Sequence, residues 1–150
     1  MLDKDLRELL ALFNTTGVEF LVVGGHAVAF HGRPRLTDDL DLFVRPDVEN
    51  GERIVRALQT FGFGSLDLTA DDFLADDRVI QLGRAPNRVD LLTKLYGVEF
   101  SDAWDRRVAA RLDDTQVWII SREDLIRNKR ETGRTQDLAD AEFLERLGPA

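Results

Sequence analysis

Two aspartates that alternate along a hydrophobic segment are the residues of this chain best placed to do chemistry. Asp39 and Asp41 lie in the sequence DLDLFV, and the remaining residues of that segment are apolar. Because successive side chains of a strand point to opposite faces, the two carboxylates would share one face, with their Cα atoms roughly 6.5 Å apart. Asp38 adds a third negative charge beside them. Carboxylates this close repel each other unless a cation lies between them, and a divalent metal is the obvious candidate.

A Gly-Gly pair precedes these aspartates and adds an anion-binding feature. Gly24 and Gly25 follow a short apolar run, and a helix is expected to begin near His26. The first N–H groups of a helix are free, and glycine has no Cβ atom to keep a ligand away. One end of the segment 21–44 therefore suits phosphate oxygens, and the other suits the metal that bridges them. Mg²⁺ typically binds one or two carboxylates plus substrate phosphates.

The order of these features resembles the signature of the nucleotidyltransferase superfamily typified by DNA polymerase beta, which is a hydrophobic strand, Gly-Gly, and then Asp-hydrophobic-Asp-hydrophobic. More narrowly, GGHAVAFHGRPRLTDDLDL is similar to small bacterial nucleotidyltransferase-like proteins related to the toxins of abortive-infection type toxin-antitoxin pairs. Arg35, Thr37 and Asp39 match the Arg-X-Thr-X-Asp pattern of these proteins. The resemblance implies that Arg35 approaches the triphosphate or pairs with an acid. A salt bridge that only braces the loop is the alternative.

A third carboxylate is expected on a neighbouring strand. Asp90 lies between Val89 and Leu91 in a predicted strand over 88–92. The resemblance implies that Asp90 completes the binding site of the metal that activates the attacking hydroxyl in two-metal phosphoryl transfer. An exposed strand residue, or a salt bridge to Arg88, is the alternative interpretation.

The last third of the chain carries a second group of charged residues. The sequence LIRNKRETGRTQDLAD places Lys129, Arg130 and Arg134 around a predicted helix-turn-helix corner, followed by Asp137 and Asp140. It is similar to the Lys…Gly-Arg…Asp…Asp tail of the toxin-like relatives. The resemblance implies that the basic residues meet the triphosphate and that an acid such as Asp137 positions them. A solvated helix pair with surface ion pairs, which contribute little to stability, is the alternative.

The two histidines do not match a zinc site. His26 and His31 are five residues apart, whereas a helical zinc pair is four apart, and the chain has no cysteine to complete such a site. We therefore interpret both histidines as structural, while His26, near the helix start, is also a candidate phosphate ligand.

Composition and charge narrow the class of protein. For 150 residues, 43% hydrophobic and 32% charged, we expect a single globular domain over 1–150, with a core over about 1–120 and a helical tail over about 121–150. The net charge of −8 argues against a broad non-specific nucleic-acid surface. No apolar run approaches the roughly 20 residues that span a bilayer. The absence of cysteine fits a cytoplasmic protein.

The predicted helices and strands, together with the resemblance, imply an α/β (α+β) fold, in which a small mixed β-sheet has flanking helices and is followed by a two-helix tail. Helices are expected at 3–13, 26–31, 46–60, 98–106, 122–132 and 135–147, with one helical turn at 70–75. Strands are expected at 18–23, across Asp39 and Asp41, at 78–82, at 88–92, and on both sides of a turn at Asp113 and Asp114. The segment 61–68 is ambiguous between a turn and a short strand, and another turn is expected at 85–87.

Three functional hypotheses follow from the residues and the resemblance. The first is a nucleotidyltransferase that uses one or two Mg²⁺ ions, or Mn²⁺ in their place. In it an acceptor hydroxyl attacks the α-phosphate of a nucleoside triphosphate such as ATP, and pyrophosphate leaves; RNA, protein and small molecules all remain open as acceptors. The second is a non-catalytic nucleotide-binding or interaction module of a toxin-antitoxin or regulatory pair, with an antitoxin-like protein partner. The third is metal-dependent phosphodiester hydrolysis, although the Gly-Gly pair favours transfer from a triphosphate.

Overall fold

The computed structural model describes residues 3–37, 39–62, 67–84 and 87–148. The helices in these ranges are α1 (Lys4–Thr16), α2 (Gly24–Phe30), α3 (Val48–Phe61), α4 (Phe100–Asp105), α5 (Arg122–Thr132) and α6 (Thr135–Arg146). The strands are β1 (Phe20–Val23), β2 (Asp39–Val44), β3 (Val79–Leu82), β4 (Arg88–Leu92), β5 (Val108–Leu112) and β6 (Thr115–Ile119). Within the same ranges, Ala70–Phe73 forms a 3₁₀ turn.

The strands form one mixed sheet in the order β3-β4-β2-β1-β6-β5. β2 runs parallel to β4 and β1 runs parallel to β6, whereas the other three neighbouring pairs are antiparallel. The predicted α/β fold with a mixed sheet and flanking helices is therefore confirmed. β2 lies between β1 and β4, so its two aspartates lie away from both edges of the sheet.

Apolar residues of β1 and β2 form the centre of the hydrophobic core. All four residues of β1 are buried, as its continuous apolar sequence predicted. In β2, Leu40, Leu42 and Val44 are fully buried, while the two aspartates are partly exposed on the opposite face. α1 packs on this core through one apolar stripe, formed by Leu6, Leu9, Leu10 and Phe13.

α5 begins and ends at the predicted residues because its ends are encoded locally. The hydroxyl of Ser121 accepts a hydrogen bond of 3.1 Å from the backbone N–H of Asp124, and Gly133, with a φ of 68°, ends the helix. α6 follows at Thr135 and packs against α5, so the predicted pair of helices is present. None of the helices in the described ranges is both long and apolar enough to cross a membrane.

Predicted and observed boundaries differ mainly where elements begin. α2 starts at Gly24 rather than near His26, so the Gly-Gly pair lies inside the first helical turn instead of before it. β1 begins at Phe20 and not at residue 18. The turn at Asp113 and Asp114 is confirmed, since both residues have positive φ values, 49° and 69°. The predictions for 61–68 and 85–87, and that for Asp38, fall wholly or partly outside the described residues.

Candidate active site

The register between β2 and β4 brings the three predicted carboxylates together. Asp41 lies directly opposite Asp90, and Asp39 lies directly opposite Arg88. Adjacent strands are about 4.8 Å apart, and residues two positions apart on one strand share a face. Three carboxylates and one guanidinium therefore occupy two neighbouring rows on the same face of the sheet.

The guanidinium of Arg88 joins two of the three carboxylates. Its Nη2 donates to Asp39 Oδ2 at 2.8 Å and to Asp90 Oδ2 at 3.2 Å. Its Nε lies 3.0 Å from Asp90 Oδ1, close enough for an ion pair, but without the alignment of a hydrogen bond. Arg88 therefore faces both oxygens of the buried Asp90, whereas it contacts Asp39 through one oxygen only.

Asp41 is the carboxylate that the protein leaves without a cation. Among the described residues, no basic side chain forms an ion pair with it, although Arg88 pairs with both Asp39 and Asp90. Burial, followed by the negative charges of Asp90 and Asp39, raises the pKa of Asp41 to about 6, and Arg88 only partly opposes this. Because its charged form lacks stabilisation, a bound cation would be favourable at this position.

Gly24 makes room for the Asp41 carboxylate. Its φ is 65°, and a Cβ atom added there would lie 3.0 Å from Asp41 Cγ and closer still to Oδ2. A side chain at this position would therefore push the carboxylate out of place. We predicted that the missing Cβ atom of Gly24 would leave room for a phosphate. In this structure the same space is taken by the carboxylate of Asp41.

Gly25 makes room for the loop that leads to Asp39. A Cβ atom added at Gly25 would lie 2.9 Å from the hydroxyl oxygen of Thr37. That hydroxyl donates a hydrogen bond of 3.1 Å to the backbone carbonyl of Asp39. Thr37 thus packs between the start of α2 and the start of β2. The first turn of α2 has no side-chain cap at its N-terminus, which leaves phosphate binding there as a prediction.

Three residues of the second predicted group, Lys129, Arg134 and Asp137, form a compact ion cluster at the corner between α5 and α6, whereas Arg130 forms an exposed ion pair outside it. Arg134 Nε donates to Asp137 Oδ2 at 2.7 Å, Thr132 donates to the same oxygen at 2.8 Å, and Lys129 Nζ lies 3.5 Å from Asp137 Oδ1. Burial by itself would raise the pKa of Asp137, but the bonds from Arg134 and Thr132 and the charge of Lys129 outweigh it and lower the pKa to about 2. Asp137 and Lys129 are buried in this cluster, whereas the side chain of Arg134 is 78% exposed, so the alternative of a solvated ion pair holds for Arg134.

Asp140 connects this cluster to the loop that precedes Asp39. It is fully buried, and its Oδ1 lies 2.6 Å from Arg35 Nη2 and 3.1 Å from Arg33 Nη1. Its Oδ2 lies 3.8 Å from Lys129 Nζ. Arg35 therefore pairs with an acid of α6, which fits both one of its two predicted roles and the alternative of a salt bridge that braces the loop.

One cleft of about 500 Å³ contains most of the predicted residues. It runs from the first turn of α2 and Asp41 on one side to the α5–α6 corner on the other. The predicted site residues along it are Gly24, Gly25, Arg35, Asp41, Lys129, Arg134 and Asp137. Asp39 and Asp90 do not line the cleft; Asp39 lies in the same row as Asp41 on β2, and Asp90 lies in the neighbouring row on β4. A second groove, of about 790 Å³, shares Lys94 and Leu95 with the cleft.

The histidines lie apart from this cleft. His26 is half-buried and does not line the cleft; burial lowers its pKa, and the charge of Asp113 partly opposes that. The ring Nε2 of His31 lies 2.7 Å from the carbonyl of Ile120, a structural contact as predicted. A phosphate-binding role for His26 thus stays a prediction without a contact to support it.

The sequence reasoning did not assign to the site several residues that line or organise it, among them Arg88, Lys94, Tyr96 and Asn128. Arg88 was considered only as a partner of Asp90, and Lys94, Tyr96 and Asn128 were not considered, although they line the cleft. Two of the four have a signal in the sequence. Arg88 and Lys94 lie two residues before and four residues after Asp90, which places them on its face of β4 and its extension. Tyr96 and Asn128 have no such signal, since tertiary packing brings them to the cleft.

The donor atoms fit a divalent metal held by two carboxylates better than one held by three. Asp39 and Asp41 provide hard oxygen ligands on one face, as Mg²⁺ prefers, and Asp41 has no ion-pair partner in the described ranges. In the described part of the chain, no group of three or more His, Cys, Asp or Glu side chains is arranged to hold one ion. Because Mg²⁺ binds through one or two carboxylates plus substrate phosphates, two protein ligands are sufficient.

Comparison with proteins of known structure gives the same fold. The crystal structure of an antigenic nucleotidyltransferase-like protein from Paracoccidioides brasiliensis is similar to this chain with a TM-score of 0.52 and 17% sequence identity. The match covers 97% of this chain and 78% of that protein. At this identity the similarity concerns the fold alone. No curated protein gives a significant match in sequence.

Comparison with protein families gives a match over nearly the whole chain. Residues 1–144 match the family described as "Nucleotidyltransferase of unknown function (DUF6036)". The matched range includes the Gly-Gly pair, all three carboxylates and the α5–α6 corner. The resemblance to nucleotidyltransferases is therefore confirmed, while the narrower resemblance to toxin-like relatives stays a prediction. The chain belongs to this nucleotidyltransferase family.

Proposed function

We propose that this protein is a Mg²⁺-dependent nucleotidyltransferase that transfers a nucleoside monophosphate from a nucleoside triphosphate to a hydroxyl group, releasing pyrophosphate. The observation that carries the proposal is the position of Asp41. It is a partly buried carboxylate with no ion-pair partner among the described residues, it faces Asp90, and it lines a cleft that also contains Lys129 and Arg134. The carboxylate of Asp41 and the basic residues at the α5–α6 corner line the same cleft, which suits a metal ion bound to a triphosphate.

The roles of the carboxylates follow from their positions in the two rows. Asp39 and Asp41 would hold the metal, and Asp90 would complete the side at which the acceptor hydroxyl is activated. The chemistry that Mg²⁺ supplies when bound is charge neutralisation at the phosphates and activation of the hydroxyl. Mn²⁺, which also accepts oxygen ligands, is expected to substitute for it.

The basic residues would bind and orient the triphosphate. Lys129 and Arg134 are held at the α5–α6 corner by Asp137, and Arg35 is held by Asp140. Lys129 and Arg35 are largely buried and so are positioned before the nucleotide arrives, which reduces the entropy lost on binding. The first turn of α2 at Gly24 and Gly25, with His26 and Thr37 beside it, would contact the β- and γ-phosphates.

The groove beyond Lys94 and Leu95 is the proposed approach of the acceptor. It adjoins the cleft, and its volume of about 790 Å³ accommodates part of a larger molecule. Its lining has both signs of charge, including Arg45, Asp47 and Glu99. A lining of mixed sign, together with the net charge of −8, favours a protein or small-molecule hydroxyl over a long RNA.

A non-catalytic role has one observation in its favour. Arg88 occupies the space between Asp39 and Asp90, and Asp90 offers neither oxygen freely to a metal. Such a domain could bind a nucleotide, or an antitoxin-like protein partner, without turnover. The intact set of three aspartates favours the enzymatic proposal.

Incubation with each of the four α-labelled ribonucleoside triphosphates tests the proposal. Total RNA and a protein extract serve as acceptors, with Mg²⁺ present, and Asp41→Asn is the matched variant because it keeps the shape of the side chain. We expect label to pass to one acceptor class with the wild-type protein only. Nucleotide binding without transfer to any acceptor would favour the non-catalytic alternative, and RNA cleavage without a triphosphate would favour hydrolysis.

A further inference from the structure

Arg88 is placed between the carboxylates by the register of the sheet. It lies opposite Asp39 across the parallel pair and two residues before Asp90 on the same strand, so its side chain shares their face. Its guanidinium reaches both carboxylates, at 2.8 Å for Asp39 and between 3.0 and 3.2 Å for Asp90. One side chain therefore supplies the positive charge that two carboxylates share.

The three carboxylates are unequally neutralised as a result. Arg88 faces both oxygens of Asp90 and one oxygen of Asp39, while Asp41 has no ion-pair partner among the described residues. An oxygen that faces a guanidinium at these distances cannot at the same time accept a metal at about 2.1 Å from the same direction. Asp41 and the remaining oxygen of Asp39 are therefore accessible to a cation, and Asp90 is not.

The guanidinium of Arg88 is only partly enclosed. The side chain of Arg88 is one-third exposed, unlike that of Asp90, which is 11% exposed. Its Nε is buried without a hydrogen-bond partner, as is Oδ1 of Asp90, so the closest contact between the two residues is poorly aligned. A buried and poorly aligned contact of this kind contributes less than an ideal bidentate pair.

We propose that Arg88 is an internal cation that occupies the Asp39–Asp90 side of the site, so that a divalent metal binds first at Asp41 and reaches Asp90 only after the guanidinium has moved away. This rests on the proposed function in that the same carboxylates bind the metal. It assigns to Arg88 control over the second metal position. It also accounts for the absence, within the described residues, of a ready-made three-carboxylate site.

Titration with Mn²⁺, followed by the electron paramagnetic resonance of the free ion, tests this without any turnover. We compare the wild-type protein with Arg88→Gln, which removes the guanidinium charge. Arg78→Gln is the control, because it makes the same charge change at a side chain that pairs with Asp72, away from the carboxylates. We expect Arg88→Gln to bind Mn²⁺ at least about tenfold more tightly and to take up a second equivalent, with a less than twofold change for Arg78→Gln.

Unchanged or weaker Mn²⁺ binding by Arg88→Gln would overturn the proposal, because it would show that Arg88 only positions the carboxylates. Thermal unfolding checks that the variant is folded. If Arg88→Gln is not folded, Arg88→Lys replaces it in the titration. Lysine keeps the positive charge on a shorter side chain, and we expect this variant to bind Mn²⁺ at least threefold more tightly than the wild type. Failure of nucleotide transfer by the wild-type protein would refute the proposed function while leaving this comparison of Mn²⁺ affinities valid.

Discussion

The carboxylate of Asp41 is held in place by packing rather than by a charge of opposite sign. It rests against Gly24, whose missing side chain provides the space, and it faces Asp90 across the parallel strand pair. Both neighbours of Asp41 along this face carry negative charge that Arg88 neutralises only in part. An aspartate whose surroundings disfavour its charged form lowers the stability of the fold, and such residues are typical of functional sites.

Replacing Asp41 by Asn removes the charge and keeps the shape. In the absence of metal we expect Asp41→Asn to raise the free energy of unfolding by about 1–2 kcal/mol near pH 7.5. The reason is that the pKa of Asp41, raised to about 6, shows that the folded protein disfavours its charged form. Partial exposure of the carboxylate to solvent limits the size of the effect. The folded-state pKa exceeds the unfolded value, so the wild-type protein gains stability as the pH falls from about 6 towards 4. The advantage of the variant should shrink over that range.

Urea unfolding in EDTA, near pH 7.5 and near pH 4.5, measures this difference. Glu52→Gln on the exposed side of α3 is the control, with an expected change below about 0.5 kcal/mol. A variant no more stable than the wild type near pH 7.5 would contradict the electrostatic description of Asp41.

Gly24→Ala tests the contact between the Gly-Gly pair and the carboxylate. Gly62→Ala is the matched control, because Gly62 also has a positive φ but has no atom within 4 Å of an added Cβ. We expect Gly62→Ala to cost about 1 kcal/mol of stability through backbone strain alone. Gly24→Ala should cost at least about 2 kcal/mol more and reduce transfer by on the order of 100-fold, because it displaces Asp41. Equal effects on stability and transfer would show that the contact with Asp41 is unimportant.

At the scale of elements, the sequence correctly predicted the features that depend only on residues close to one another in the chain. The alternation in β2 placed Asp39 and Asp41 on one face, and the caps Ser121 and Gly133 fixed both ends of α5. The contact between Asp140 and Arg35 was not predictable, because it joins residues 105 positions apart and depends on how α6 docks beside the loop before β2. Strand order likewise depends on tertiary packing.

Asp140→Asn tests whether α6 positions the basic residues of the cleft. Removing a fully buried charge that meets Arg35 and Lys129 should cost about 3–5 kcal/mol of stability and raise KM for the triphosphate more than it lowers kcat. Glu142→Gln is the control, since Glu142 lies on the same helix and forms an exposed pair with Arg146; its expected cost is below about 0.5 kcal/mol. Urea unfolding and steady-state kinetics measure both. A fall in kcat with unchanged KM would assign Asp140 to another role.

At the scale of the whole molecule, one cleft joins residues from distant parts of the sequence. The Gly-Gly pair, Asp41 and the α5–α6 corner were predicted separately as two groups, and the fold brings them to opposite walls of the same space. The sequence could not predict this, because it depends on the order of the strands. β4 lies beside β2, whereas β6, which leads into α5, lies on the other side of β1. Binding in the cleft should therefore stabilise the whole fold and not one element.

Thermal unfolding with Mg²⁺ and a non-hydrolysable triphosphate measures that stabilisation. At a ligand concentration of about 100 times Kd, the expected gain is about 2.7 kcal/mol, which corresponds to a rise in Tm of about 5–10 °C for a chain of this size. EDTA, or the substitution Asp41→Asn, should abolish the rise. The absence of a shift with any of the four triphosphates would exclude the cleft as a nucleotide site.

The most direct test of the proposed reaction compares a triphosphate labelled at the α-phosphate with the same triphosphate labelled at the γ-phosphate. Attack on the α-phosphate leaves the α-label on the acceptor and releases the γ-label in pyrophosphate. We expect the wild-type protein with Mg²⁺ to transfer the α-label alone, and Asp41→Asn to transfer neither. Transfer of the γ-label, or equal transfer by the wild type and Asp41→Asn, would contradict nucleotidyl transfer at these carboxylates.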